Sequence, residues 1–168
     1  ERAEAFITDF WQLASNLKLE AGLTVETSRI TQSGDATQER DFTYFKPRLG
    51  ATWSIVDANQ LRVLVERDVA QLDFSEFASA VSLFDGTVDL GNPNLEPERT
   101  WRTTAEWEHR FGPKGVVVLS LFNDEVEAVQ DQIPIAGASD GPGNLGDGRR
   151  TGARIDATAP LDAFGFKG

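Results

Sequence analysis

Carboxylates, one histidine and a glycine-rich run are the groups in this chain whose types and spacing invite chemistry. Glu66 and Asp68 stand two residues apart, with Asp73 nearby, a set that would serve acid–base catalysis if the side chains converged on one substrate atom. Period-2 alternation instead puts Glu66 and Asp68 on the wet face of one strand, and Arg102, Glu106, Glu108 and Arg110 on the wet face of another. Mixed charge spread along such a face suits solvation or ion pairing better than catalysis. His109 is the single histidine and cysteine is absent, so the chain has no two-His metal site, no thiolate ligand and no specific Ser-His-Asp arrangement. Gly141-Pro142-Gly143-Asn144-Leu145-Gly146 spells G-x-G-x-x-G. A dinucleotide loop must lead from a parallel strand into a helix, whereas this one leads through Asp147-Gly148-Arg149-Arg150 into another strand. Asp140, Asn144 and Asp147 lack the spacing of an EF-hand and its bidentate Glu. No catalytic residue, cofactor or metal is expected, and an enzyme is the least supported class.

Charge narrows the partners. Lys and Arg number 16 against 27 Asp and Glu, a net charge of -11 over 168 residues, which argues against nucleic acid because phosphate binding needs a basic surface. With 40% apolar and 26% charged residues, the chain is neither a disordered tail nor a helical membrane bundle. No run of 18 apolar residues is present, which removes a transmembrane helix. It does not remove a β-barrel, whose strands alternate and keep average hydropathy low. The chain opens Glu-Arg-Ala-Glu and closes as an apolar stretch begins at Phe164–Phe166, so it reads as a segment cut from something longer.

The elements that must position these groups are strands. Alternation is clearest over Leu17–Val25, Trp101–Phe111 and Ala153–Leu161, each with one apolar and one polar face. Arg2–Trp11, Thr43–Trp53, Leu61–Leu72 and Val116–Val126 are less tidy strands, which makes about seven in an antiparallel up-and-down meander. Their connections alternate in length. Leu13–Asn16, Val56–Gln60 and Gly112–Gly115 are short, as is the run from Asp162 at the last strand's end. Ile30–Phe42, Asp73–Arg99 and Ala128–Arg149 are long. Short turns at one end and long loops at the other mark an outer-membrane barrel. Phe10, Trp11, Trp53, Trp107 and Phe111 cluster near short turns and Trp101 lies beside a long loop, as aromatic girdles at membrane interfaces require. His109 alternates with the apolar face beside a turn, which suits an interfacial place.

Gly91-Asn92-Pro93-Asn94-Leu95-Glu96-Pro97-Glu98-Arg99-Thr100 resembles the Asn-Pro-x-Leu-x-Pro-Glu segment of TonB-dependent outer-membrane receptors, which ends a long extracellular loop and begins a descending strand. Lys46-Pro47-Arg48-Leu49-Gly50-Ala51-Thr52-Trp53 resembles the family's Pro-Arg-Leu-Gly strand, Val65–Phe77 the ascending strand after it, and Gly143–Gly152 the loop end before another descending strand. The motif has physical sense: Pro93 and Pro97 lack the amide hydrogen a ladder needs, Asn92 and Asn94 suit turns, and Leu95 can seat the loop on the barrel rim. Asn92, Pro93, Leu95, Pro97 and Glu98 are therefore expected to anchor a loop rather than to hold a ligand.

The resemblance implies a segment of a 22-stranded barrel whose lumen is filled by a plug domain absent from these residues. At 168 residues for seven strands, 22 strands need about 530. It further implies a place in the bacterial outer membrane against lipid, TonB as a partner of the intact protein, and import of a scarce small nutrient such as a ferric siderophore. Glu66, Asp68, Arg102, Glu106 and Glu108 would then face the lumen, where mixed charge can hold the plug. The alternative is a soluble all-β module that binds a ligand such as a carbohydrate, with its apolar faces packed on each other. A sheet cut from a barrel has open edges and an oily face, so in water it is expected to curl or to self-associate.

Overall fold

In the computed structural model the described residues are 1–32, 38–72, 80–81, 88–89, 91–92, 94–112, 114–134 and 140–160. All of their regular structure is β. Seven long strands form one antiparallel sheet: β1 (Arg2–Ala14), β2 (Leu17–Gln32), β3 (Gln38–Val56), β4 (Asn59–Val69), β7 (Arg99–Phe111), β8 (Gly115–Glu127) and β11 (Gly148–Thr158). Each long strand pairs with its neighbours in the chain, the meander expected from the sequence. Two small antiparallel pairs, β5 (Ala80–Val81) with β6 (Val88–Asp89) and β9 (Gln130–Pro134) with β10 (Asp140–Asn144), lie within long connections. At the β7–β8 turn Gly112 has φ +58, a left-handed conformation that favours glycine.

The connection expected over Ile30–Phe42 is largely ladder. β2 and β3 stay paired out to Gln32↔Gln38, and Arg29 Nε reaches Asp41 Oδ1 at 2.7 Å across them. Polar residues occupy both faces there, so the alternation that reveals a half-buried strand is lost while backbone pairing continues. β11 likewise starts at Gly148 rather than Ala153, because Arg149 and Arg150 pair with Glu125 and Asp124. β4 stops at Val69 rather than Leu72.

Register sorts the side chains into two faces. Leu17, Trp53, Leu61, Trp107, Leu119 and Ile155 form one row across β2, β3, β4, β7, β8 and β11, and Trp11 lies one row away opposite Leu19. This apolar face is bare: Ile7 is 70% and Ile155 71% exposed, and the buried hydrophobic side chains are only Val69, Leu95 and Val126 among the described residues. A soluble sandwich would seal such a face against a second one, and no such sealed centre exists among these residues.

The apolar belt does not follow one row. On β2 and β3 it reaches Val25 and Phe45, eight residues beyond Leu17 and Trp53; on β8 and β11 it stops at Leu121 and Ala153, two beyond Leu119 and Ile155. Its turn-side edge moves the same way, from Leu17 on β2 to Phe111 on β7, four residues past Trp107.

The sheet also opens at one seam. The β3–β4 ladder ends at Arg48↔Glu66, whereas the β2–β3 ladder runs on through Leu23↔Pro47. Pro47 has no amide hydrogen, and its missing donor falls where β4 departs. Above it β4 pairs with β7 alone through Val69↔Arg99.

Candidate functional site

The polar face carries an ordered charge pattern. Gly22, Arg48, Glu66, Arg102, Asp124 and Arg150 form one row across six strands, with charge alternating along the last five. Arg48 binds Glu66 at 2.8 Å and Glu20 at 3.1 Å. Asp124, 3% exposed, sits between Arg102 at 3.1 Å and Arg150 at 3.0 Å. Towards the turns Arg62 binds Glu108 at 3.2 Å, and Ser120 donates to Glu106 at 3.1 Å. Towards the loops Glu26 is clamped by Arg2 at 2.8 Å and Lys46 at 2.9 Å. Neighbouring strands lie about 4.8 Å apart, a spacing at which opposite charges in register attract and like charges repel.

Of the residues expected to face a lumen, Glu66, Arg102, Glu106 and Glu108 lie on this face, and so does Asp68, opposite Thr100. Their partners Arg48, Asp124 and Arg150 were not singled out from the sequence. Only the register identifies them, because each comes from a different strand. Phe6 and Phe10 also lie on this face, exposed, so β1 shows aromatic groups on both sides. On the apolar face His109 stacks between Trp107 at 5.7 Å and Phe111 at 6.3 Å, with Nδ1 2.9 Å from Asn59 Oδ1. Among the described residues no three carboxylates or histidines gather as a metal site.

Asp124 gives a direct test of the charged row. Asp124→Asn keeps the shape and leaves two guanidinium groups without their counter-charge. Both arginines are partly wet, so the expected loss is about 1–2 kcal/mol in denaturant unfolding of the full-length protein in lipid vesicles. Asp156→Asn, in the exposed Arg154–Asp156 pair, is expected to stay below about 0.5 kcal/mol.

The second feature is the foot of the connection before β7. Asn92 Oδ1 accepts from Asn94 N–H at 2.9 Å, and Asn92 O accepts from Leu95 N–H at 3.0 Å, an Asx turn that folds the segment inward. Leu95 is fully buried, and Pro97 is buried beside it. Arg40 donates to Leu95 O at 3.3 Å from β3, and Ala70 N–H donates to Glu98 O at 2.8 Å from the end of β4. The foot thus bridges the two strands that part at Pro47. Asn92, Leu95, Pro97 and Glu98 meet here; Pro93 lies outside the described residues. Arg99 closes the foot, reaching Glu127 at 2.9 Å and Glu96 at 3.1 Å. Asn144 and Gln130 grip the same segment from the connection after β8: Glu96 N–H donates to Asn144 Oδ1 at 2.9 Å, and Gln130 N–H to Glu98 Oε1 at 2.8 Å. Asn144, which in the sequence belongs to a glycine-rich run with the spelling of a nucleotide loop or a calcium site, is thus committed to protein groups.

The sequence pattern of the family described as TonB dependent receptor-like, β-barrel matches residues 1–168. The chain belongs to this family. Its sheet superposes on TonB-dependent receptor barrels of known structure. The hemophore receptor HasR of Serratia marcescens, solved as a double mutant with its hemophore HasA and heme, aligns with TM-score 0.75 and 15% identity over 94% of this chain and 32% of its own. The copper transporter OprC aligns with TM-score 0.71 and 16% identity over 93% and 26%. The ferric-catecholate import receptor Fiu of E. coli K12 aligns with TM-score 0.65 and 12% identity over 93% and 25%. The chain therefore spans about a quarter to a third of the length of these receptors. No curated protein sequence matches it. Membership in the TonB-dependent receptor barrel family places the chain in the bacterial outer membrane, where helices long enough to cross are not needed and strands do the crossing.

Proposed function

We propose that the chain is one section of the barrel wall of a receptor that imports a scarce small nutrient and performs no chemical conversion itself. The bare apolar face carries this reading, since an apolar face of this extent marks a membrane or partner surface and its alternation with a charged face is that of an outer-membrane barrel wall. The apolar belt meets the outer membrane, and the charged face turns inward to a lumen. The row Arg48–Glu66–Arg102–Asp124–Arg150, with Asp68, Glu106 and Glu108 around it, offers hydrogen bonds and ion pairs to a plug domain. TonB displaces that plug from the inner side. The motif residues Asn92, Leu95, Pro97 and Glu98 anchor the loop that leads to the ligand.

Loop charge favours one kind of cargo. The two connections 73–99 and 128–149 hold nine of the 27 acidic residues and only two arginines. A cleft mouth of one sign raises the local concentration of ligands of the other. Uptake is therefore expected to favour a cationic ferric hydroxamate over a trianionic ferric tris-catecholate. In cells carrying the intact gene, the half-saturating concentration should differ by about tenfold at low salt, and the gap should shrink as salt rises. Equal uptake in the presence and absence of TonB would overturn the receptor reading itself.

A further inference from the structure

We infer that Asn144 is a positioning residue that ties the foot before β7, at Glu96, to Ala128 in the connection after β8, so that a ligand meets these two segments as one unit. The inference rests on the receptor reading above. Glu96 donates its N–H to Asn144 Oδ1 at 2.9 Å and accepts Asn144 Nδ2 at its carbonyl at 3.0 Å. Two bonds to both backbone groups of one residue are what a neighbouring strand supplies at a hydrogen-bonded rung. No backbone ladder joins 91–98 to 140–147 among the described residues; the side-chain amide stands in for one. Nδ2 also donates to Ala128 O at 2.8 Å, which leaves neither amide hydrogen idle.

Ala128 shows that the tie has a conformational counterpart. Its φ of 57° is a left-handed value rare for alanine, and it falls between the end of β8 and the start of β9. The kink carries the chain out of the sheet and into the β9–β10 pair. Strain of this kind persists where the surroundings over-determine it, and Asn144 holds the carbonyl of that same residue. Gln130 repeats the grip, donating Nε2 to Glu96 O at 2.8 Å, and Asn92 Nδ2 donates to Pro142 O at 3.1 Å. The β9–β10 pair is itself close-set: a Cβ on Gly143 would lie 2.2 Å from Ile133 Cδ1. One polar side chain thus sits where three segments meet. Segments tied in this way have less freedom to lose when a ligand arrives, and a preordered site binds at lower entropic cost.

The test uses the full-length receptor in lipid vesicles, with Asn144→Ala and the isosteric Asn144→Asp. The aspartate keeps the acceptor for Glu96 N–H, loses both donors and sets a carboxylate against two carbonyl oxygens. Amide exchange is expected to rise about tenfold in both 91–98 and 128–147 in either variant, with β7 and β8 unchanged. For whichever of the two ferric chelates the wild type imports, the half-saturating concentration should rise about tenfold while the maximal rate holds. A rise in exchange confined to one segment, or an unchanged half-saturation, would overturn the tie. Failure of the wild type to import either chelate would count against the cargo reading of the previous subsection, and the exchange data would still decide whether Asn144 couples the loops.

Discussion

Leu49→Arg is expected to lower the stability of the full-length receptor in a phosphatidylcholine bilayer by about 2–4 kcal/mol. Leu49 is 55% exposed and sits within the apolar belt of β3, between the outward positions Pro47 and Ala51. On a water-facing sheet an exposed leucine changed to arginine costs almost nothing and improves solubility. In hydrocarbon the guanidinium loses its hydration without gaining a partner, and the nearest interface is several residues away along the strand. Thr104→Arg supplies the control. Thr104 lies on the charged face, opposite Leu64 and Phe122, and the same guanidinium there is expected to cost no more than about 1 kcal/mol. The measurement is reversible guanidinium unfolding into and out of lipid vesicles. A larger cost for Thr104→Arg would show that the faces have been assigned the wrong way round, and equal costs would show that neither meets lipid.

The second large effect is expected at Leu95. It is the one large side chain fully buried among the described residues, in a sheet that otherwise has almost no interior. Leu95→Ala removes its packing where the foot bridges β3 and β4 and leaves a cavity that neighbouring proline and strand backbones are too stiff to fill. Large-to-small changes at such sites cost about 2–5 kcal/mol. The loss should be local. Amide exchange should accelerate at 94–99 and at Ala70, whose N–H donates to Glu98, while β1 and β2 keep their protection. Leu95→Met, which conserves volume, is expected to cost less than about 1.5 kcal/mol. If the alanine variant leaves exchange at the foot unaltered, the motif is not a packed anchor.

The long strands were legible because alternation is a local signal. Leu17–Val25 and Trp101–Phe111 show it cleanly, and both lie inside observed strands. Where apolar residues no longer keep to the outward face, as in Arg29–Gln32 and Glu39–Phe42, the signal is lost although the ladder continues. The pair β9–β10 was hidden for another reason: its glycines and prolines mark turns in most contexts, and here Gly143 makes room for Ile133 instead. Glu66, Arg102 and Glu108 could be put on a wet face from parity alone. Their pairing with Arg48, Asp124 and Arg62 depends on register between strands, which no single stretch of sequence contains. Asn144 was the least visible. It sits 48 residues from Glu96, in a run whose spelling suggested a nucleotide loop or a cation site, and its role exists only once both connections are folded. Pro47 and Leu95 were visible as pieces of family motifs, but not as the opening in the sheet and the residue that bridges it.

The sidestep of the oily belt from strand to strand has a geometric meaning. Averaged over its two edges it amounts to about 1.3 residues per strand, about 4 Å of climb for each 4.8 Å of travel across the sheet. A level membrane plane drawn on such a wall crosses the strands obliquely, so they lean about 40° from the pore axis, within the 35–45° found for closed outer-membrane cylinders. Lean and circumference are coupled once the cylinder shuts. The placement of greasy residues from Val25 to Ala153 therefore acts as a thread pitch, and it sets how wide the finished pore can be.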